Sequence, residues 1–187
     1  YTSYPTAPWF EQSFGSEEYA ACAEHADHDR PLSLYFHLPF CATLCFYCAC
    51  NKVVTKNRAH AGPYLEYLAQ EISLQAELFG DRPIVDQLHW GGGTPTFLDA
   101  GRIEWLVAQI RRAYPLRDDD GGDYSIELDA RTVAPGAIQL LRRLGFNRAS
   151  IGVQDLDPGV QRAVNRIQPE EVTRATLDAC REAGFHS

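Results

Sequence analysis

The sequence lacks any long apolar run. No stretch of its 187 residues approaches the ~20 consecutive apolar positions that a membrane-spanning helix requires, so no membrane partner is expected. It also lacks a surplus of positive charge. Lys and Arg number 17 against 25 Asp and Glu, for a net charge of −8. The loop Asp118 to Asp123, D-D-D-G-G-D, concentrates part of that acid. A nucleic-acid surface needs a basic stripe, so that class of partner is set aside. An anionic small substrate is not, because a site can be locally basic. No secretory leader is visible. The six cysteines are then expected to be thiols of a reducing cytoplasm rather than a disulfide framework.

What the chain does have is sulfur in one place. Between Leu34 and Lys52 it reads L-Y-F-H-L-P-F-C-A-T-L-C-F-Y-C-A-C-N-K. Cys41, Cys45 and Cys48 stand at C-x3-C-x2-C, and Cys50 follows two residues on. The apolar run Ser33 to Leu38 leads into them and reads as a buried strand. A loop on the end of a core strand is the usual seat of chemistry in an α/β protein. Three thiolates this close can curl round one metal centre. Cysteine thiolates are the normal ligands of a 4Fe–4S cube, and three of them leave one iron open to a small molecule. A structural zinc wants four closed ligands, and Cys50 or His37 could supply the fourth. A zinc-stabilised, non-enzymatic module therefore stands as an alternative. Cys22 and Cys180, in helical patterns away from the loop, read as small buried hydrophobes.

The remaining chain alternates strand and helix signals. Tyr1 to Phe14 is aromatic and proline-rich and reads as an extended arm. Ser16 is placed to cap a short helix, Glu17 to about Ala26. Together they form an N-terminal segment, 1–30, ahead of the main unit, 31–187. His25 and His28 read as part of a polar loop. Helix one is expected from Pro63 to Gly80, with Leu65, Leu68, Ile72, Ala76 and Phe79 inward. Strand two is expected at Ile84 to Trp90, ahead of Gly91-Gly92-Gly93. Helix two follows from Ala100 to Tyr114, and strand three from Tyr124 to Leu128. Helix three starts near Pro135 and ends at Gly145, and strand four runs from Ala149 to Gln154. Helical pieces at Pro158 to Val164 and Pro169 to Ala183 close the order.

That β-α-β-α order predicts an α/β fold with a parallel sheet and right-handed crossovers. A full eight-unit barrel takes roughly 250 residues, so four βα units fit here. The last strand is expected to leave an exposed parallel edge. Candidate chemistry collects at strand C-terminal ends. Gly91 to Gly93 permits close backbone approach to a ligand, and alternation points Glu127 and Asp129 the same way.

C-x3-C-x-Φ-C, with Φ aromatic, resembles the signature of radical S-adenosylmethionine enzymes. The longer pattern H-x-P-F-C-x3-C-x2-C-x-C-N-K-V-V-T resembles the oxygen-independent coproporphyrinogen III oxidases within that superfamily. So do Y-T-S-Y-P-T at the start, H-W-G-G-G-T-P-T at His89 to Thr96, and G-F-N-R-x-S-x-G-V-Q-D at Gly145 to Asp155. The resemblance implies a partial (β/α) barrel, cut after about four of six units. It implies that Cys41, Cys45 and Cys48 hold a 4Fe–4S cluster. It places S-adenosylmethionine against Tyr35, Tyr47, Gly92, Gly93, Thr94 and Glu127, and a second S-adenosylmethionine against Gln154 and Arg166. Cys50 marks the oxidase pattern, where the related haem-chaperone branch typically has phenylalanine.

The activity so implied is oxidative decarboxylation of two propionates of coproporphyrinogen III to vinyls, giving protoporphyrinogen IX. A cluster of low potential, within a range that reaches roughly −700 mV, would cleave the sulfonium to a carbon radical that takes a propionate hydrogen. A flavodoxin-like or other low-potential electron donor is implied as partner, in a cytoplasmic monomer. A haem chaperone that binds the cluster without decarboxylating is the nearer alternative. The sequence names no porphyrinogen-gripping residue and no certain catalytic side chain. Lys52, Lys56 and Arg58 read as solvated.

Overall fold

Short periodic segments and well-placed caps decide the elements. The computed structural model describes residues 6–27, 29–80 and 83–187. The first five residues of the N-terminal motif, and His28, lie outside the described residues. Helix α1 spans Ser16–Glu24. Gly15, not Ser16, caps it, and the Gly15 N–H donates to Glu18 Oε2 at 2.8 Å. Glu18 reaches back so well that no Ser hydroxyl is needed. Cys22 on this helix is exposed, against expectation, because α1 buries little beyond Ala23.

Strand β1 is Leu32–Leu38. Two short strands unforeseen in the sequence follow, β2 (Phe40–Cys41) and β3 (Val53–Val54), and they pair in parallel. Helix α2 runs Ala61–Leu78, beginning before Pro63, with Leu65, Ile72 and Ala76 buried. Strand β4 is Val85–Gly92, and helix α3 is Ala100–Ala113. The Asp99 side chain caps α3 by accepting from the Arg102 N–H, and Ile103, Leu106, Val107 and Ile110 face inward. Strand β5 is Asp123–Leu128, helix α4 Ala137–Arg143 and strand β6 Arg148–Ile151. Helix α5, Pro158–Ala163, starts on an Asp157 cap, and α6 is Glu170–Glu182. No helix among the described residues is long and apolar enough to cross a membrane.

The main sheet is parallel throughout, in the order β1-β4-β5-β6. Each new strand is added on the same side of the last. With right-handed crossovers, that order sends every connecting helix to one face. A reversal of order would have put helices on both faces, as in doubly wound folds. The outcome is an arc of a (β/α) barrel, as expected. Burial reports the two faces directly. Phe36, Leu38, Leu88, Trp90, Ile126 and Leu128 point to the helices and are almost fully buried. Their alternates Tyr35, His37, His89, Ser125 and Glu127 line the concave face. A polar concave face is a lumen wall rather than a core.

The outer edge of β6 is partly met. The His186 N–H donates to the Asn147 carbonyl at 2.7 Å, and the Ala149 N–H to the Ser187 carbonyl at 2.8 Å. The expectation of a bare edge is corrected to that extent.

Candidate functional site

The three motif cysteines open onto one cleft, of ≈ 270 Å³, at the C-terminal ends of the strands. Cys41 ends β2, and Cys45 and Cys48 lie on the loop before β3. This loop is fixed from several sides. Val53 N–H donates to Pro39 O at 2.7 Å and Thr55 N–H to Cys41 O at 2.9 Å. The Phe46 N–H donates to Val164 O at 3.0 Å, and Asn165 Nδ2 to Leu44 O at 2.7 Å, so the loop is moored to the end of α5. His37 Nε2 donates to Asn51 O at 2.8 Å, which leaves Nδ1 to accept from the Tyr35 hydroxyl at 3.0 Å. Lys52 is not solvated as expected. Its Nζ donates to the carbonyls of Cys48 at 2.9 Å and Cys50 at 3.2 Å. Arg58 lies over the Phe97 ring at 5.8 Å.

The glycine turn after β4 serves packing. Gly92 has φ +107°, and a Cβ there would meet the His37 ring at 2.5 Å. At Gly93 a Cβ would meet the Pro39 carbonyl carbon at 2.6 Å. The Gly93 N–H donates to Leu38 O and the Thr94 N–H to Phe40 O. These glycines let the turn close on the β1–β2 corner, and so carry Thr94 to the sulfur. Thr94 Oγ1 lies 3.6 Å from Cys41 Sγ. Burial pushes the Cys41 thiol up, the Thr94 bond opposes this, and the neighbouring Cys48, Cys45 and Asp129 reinforce it.

Cys50, Tyr47, Gly92, Gly93, Thr94, Glu127, Gln154 and Arg166 line the same cleft. Glu127 Oε2 accepts the Gly92 N–H at 3.0 Å, and its other oxygen stands 3.5 Å from His89 Nε2. Burial pushes the Tyr47 hydroxyl up, and the Arg166 charge opposes it. Burial also pushes the Cys50 thiol up, with Cys48 beside it adding to the effect. Gln154 does not close strand four. That strand ends at Ile151, and Gln154 sits in the following turn at φ +67°. Arg166, which alone would read as a solvated helix-end residue, is buried. Its Nη2 donates to Gly152 O at 2.9 Å and its Nε to Gln168 Oε1 at 3.2 Å.

Tyr35 stands apart. It is 58% exposed, stacks on His89 at 5.7 Å and does not line the cleft. Burial pushes its hydroxyl up, and the charges of Glu127 and Cys50 add to the effect. Sequence reading pointed Asp129 the same way as Glu127 but gave it no role, and it missed Arg131 and Thr132; all three lie on the cleft wall. Asp129 is buried and paired to Arg131 at 2.6 Å and Arg166 at 3.5 Å. Burial pushes its carboxyl up, but the Arg131 hydrogen bonds and both guanidinium charges hold it below the ordinary carboxylate value. The signal available was position, because L-D-A-R falls at the C-terminal end of a barrel strand.

The donor set fits a cluster, for which cysteine thiolates are the normal ligands. Cys41, Cys45 and Cys48 are all free thiols facing the same cleft. Cationic and hydroxyl donors surround them, which suits thiolates.

A parallel barrel arc with three loop thiols at its mouth defines a class, and comparison with known proteins agrees. The profile described as the Radical SAM superfamily matches residues 35–187. The chain belongs to that superfamily, whose members carry a 4Fe–4S cluster and S-adenosylmethionine. It is 48% identical to the oxygen-independent coproporphyrinogen III oxidase of Pseudomonas aeruginosa, over 100% of this chain and 41% of that protein. The Escherichia coli enzyme of the same name is 47% identical over 100% of this chain and 40% of its own length. A solved structure of coproporphyrinogen III oxidase from Escherichia coli, described as a radical SAM enzyme, superposes with a TM-score of 0.93. There the identity is 46%, covering 100% of this chain and 42% of that one. The chain thus spans about two fifths of the length of these relatives.

Proposed function

We propose that this chain is the cluster- and cofactor-binding part of an enzyme that decarboxylates coproporphyrinogen III oxidatively. Two propionates become vinyls, with loss of carbon dioxide, to give protoporphyrinogen IX. The observation that carries this reading is the convergence of Cys41, Cys45 and Cys48 with Gly92, Thr94, Glu127, Gln154 and Arg166 on one cleft. The names of the relatives supply the substrate.

In this reading Cys41, Cys45 and Cys48 hold the cluster, each through its thiolate. The cluster and S-adenosylmethionine, when bound, supply one-electron cleavage of a sulfonium and hydrogen abstraction from a propionate carbon. The chain's own residues bind and orient. Thr94 braces the Cys41 sulfur. Glu127, anchored on the Gly92 N–H, offers its outer oxygen to a polar cofactor group. Tyr47, on the rim, offers an aromatic face to a nucleoside. Gln154 and Arg166 together are the residues for a second S-adenosylmethionine. Tyr35, on the lumen face of β1, is the contact for the first S-adenosylmethionine. An external low-potential electron donor, such as a flavodoxin, and an electron acceptor complete the balance. A cytoplasmic, monomeric protein fits this chemistry.

Anaerobic reconstitution tests the reading. Iron, sulfide and visible absorbance are measured on wild type and Cys45→Ala, and coproporphyrinogen III is then supplied with S-adenosylmethionine and a reductant. Cluster uptake is expected of this chain, and a vinyl product once the rest of the enzyme is present. Cluster uptake with bound haem and no vinyl product would favour the chaperone. Colourless protein that takes up zinc in preference to iron and sulfide would sink both.

A further inference from the structure

Asp129 and Arg131 have no part in the cofactor contacts proposed above, yet they line the same cleft. Asp129 Oδ1 accepts the Arg131 backbone N–H at 3.1 Å and Nε at 2.9 Å, and Oδ2 accepts Nη2 at 2.6 Å. This two-residue clamp is bidentate, so it fixes the plane of the guanidinium as well as its position. Arg131 Nη2 is thereby aimed at Cys45 Sγ, 3.8 Å away. Only 19% of the Arg131 side chain and 9% of the Asp129 side chain are exposed. Water therefore competes weakly for that N–H, and a charged donor is stronger in such surroundings.

Arg166 approaches the same sulfur from across the cleft, with Nη1 at 3.9 Å from Cys45 Sγ and 3.5 Å from Asp129 Oδ2. It is also tied to Gly152 and Gln168, so its duties are divided. The three thiols are thus treated unequally. Cys41 meets a neutral hydroxyl, Thr94, whereas Cys45 meets two cations.

We propose that Arg131 is a positioning residue for the Cys45 sulfur: clamped by Asp129, it donates to that thiolate and raises the potential at which a cluster held there accepts an electron. The inference rests on the cluster reading given under the proposed function. Its physical basis is that hydrogen bonds to cluster sulfurs and nearby positive charge stabilise the more reduced, more negative state. The electron comes from a one-electron reductant outside the chain, dithionite in the test. No bond to Arg131 is made or broken.

Wild type, Arg131→Lys and Arg131→Gln are reconstituted anaerobically, and iron and sulfide are counted. The midpoint potential of each is then measured by dye-mediated titration followed by electron paramagnetic resonance. The expected result is equal iron and sulfide with a more negative potential in Arg131→Gln. Arg131→Lys keeps the charge but cannot keep the fork between Asp129 and sulfur, so a smaller shift in the same direction is expected. Coincident potentials at equal cluster content overturn the proposal and leave the cluster reading intact. If Arg131→Gln takes up no cluster, Arg131→Lys decides: a negative shift supports the proposal and the wild-type potential overturns it. A wild-type chain that takes up no iron–sulfur cluster overturns both together.

Discussion

Arginine and aspartate meet at both ends of the sheet, to different effect. At the strand N-terminal end, Arg111, Arg117 and Arg142 pair with Asp118, Asp86 and Asp120. These side chains are the more exposed set, from 25% at Arg142 to 82% at Asp118. The Arg142 hydrogen bond holds the Asp120 carboxyl below its ordinary value. Buried Asn147 finishes the join, donating to Gly122 O at 2.7 Å and accepting the Tyr124 N–H at 2.9 Å. The result is a laced loop around a second cleft of ≈ 250 Å³, lined by Arg111, Arg117, Asp120 and Arg142. At the C-terminal end one aspartate, Asp129, serves two arginines in a shielded pocket, and both lean on a thiol. The same ion-pair chemistry stitches loops where it is more exposed and stands beside a thiol where it is better shielded.

Four outcomes would break or sharpen that contrast. The largest is at the sulfur itself: Cys45→Ala should lose nearly all cluster absorbance on anaerobic reconstitution, while the apo fold melts as wild type. Next is Asp129→Asn, expected to cost about 3 kcal/mol at neutral pH, as removing one partner of a buried pair does. Its pH dependence carries a sign. The folded carboxyl lies below its ordinary value of 3.8, so its contribution is fully present above that value and is lost as pH falls toward the lowered folded value. Urea melts of wild type and variant should therefore converge in acid, and a gap that widened there would contradict the pairing.

Gly93→Ala follows, at about 1–3 kcal/mol, because its Cβ would strike the Pro39 backbone. A thermal melt checks it, and an unchanged midpoint would mean the turn has room to shift. The smallest effect is at the opposite end. Arg111→Ala should change stability by less than about 1 kcal/mol and less still in high salt. A larger loss would mean that the wet pairs matter as much as the dry one.

The parallel order and its helices were legible because apolar spacing, glycine stops and the length of each unit all agreed. The core faces of α2 and α3 followed from residues such as Leu65, Ile72, Ile103 and Ile110. The thiol loop was legible from spacing alone. Its mooring was not. Nothing in the local sequence says that Lys52 folds back onto the Cys48 and Cys50 carbonyls, or that Asn165 reaches Leu44 across 121 residues. Cap choice was also missed at Gly15, where Glu18 outcompeted Ser16.

By itself the sequence determined which residues could be sulfur ligands, which strands would be parallel and which helix faces would be buried. Those depend on chemistry and periodicity that each segment carries alone. Only the tertiary structure decided what Gly93, Gln154, Arg131 and Arg166 do. Gly93 answers to the backbone of another strand, and Gln154 takes a left-handed turn that strand signals do not announce. Arg131 and Arg166 are surface residues by composition. They became dry neighbours of Cys45 because Asp129, on the rim of β5, draws them in from two different loops. A charge's role depends on the distance to its partners and on the water between them, and both are set by the fold.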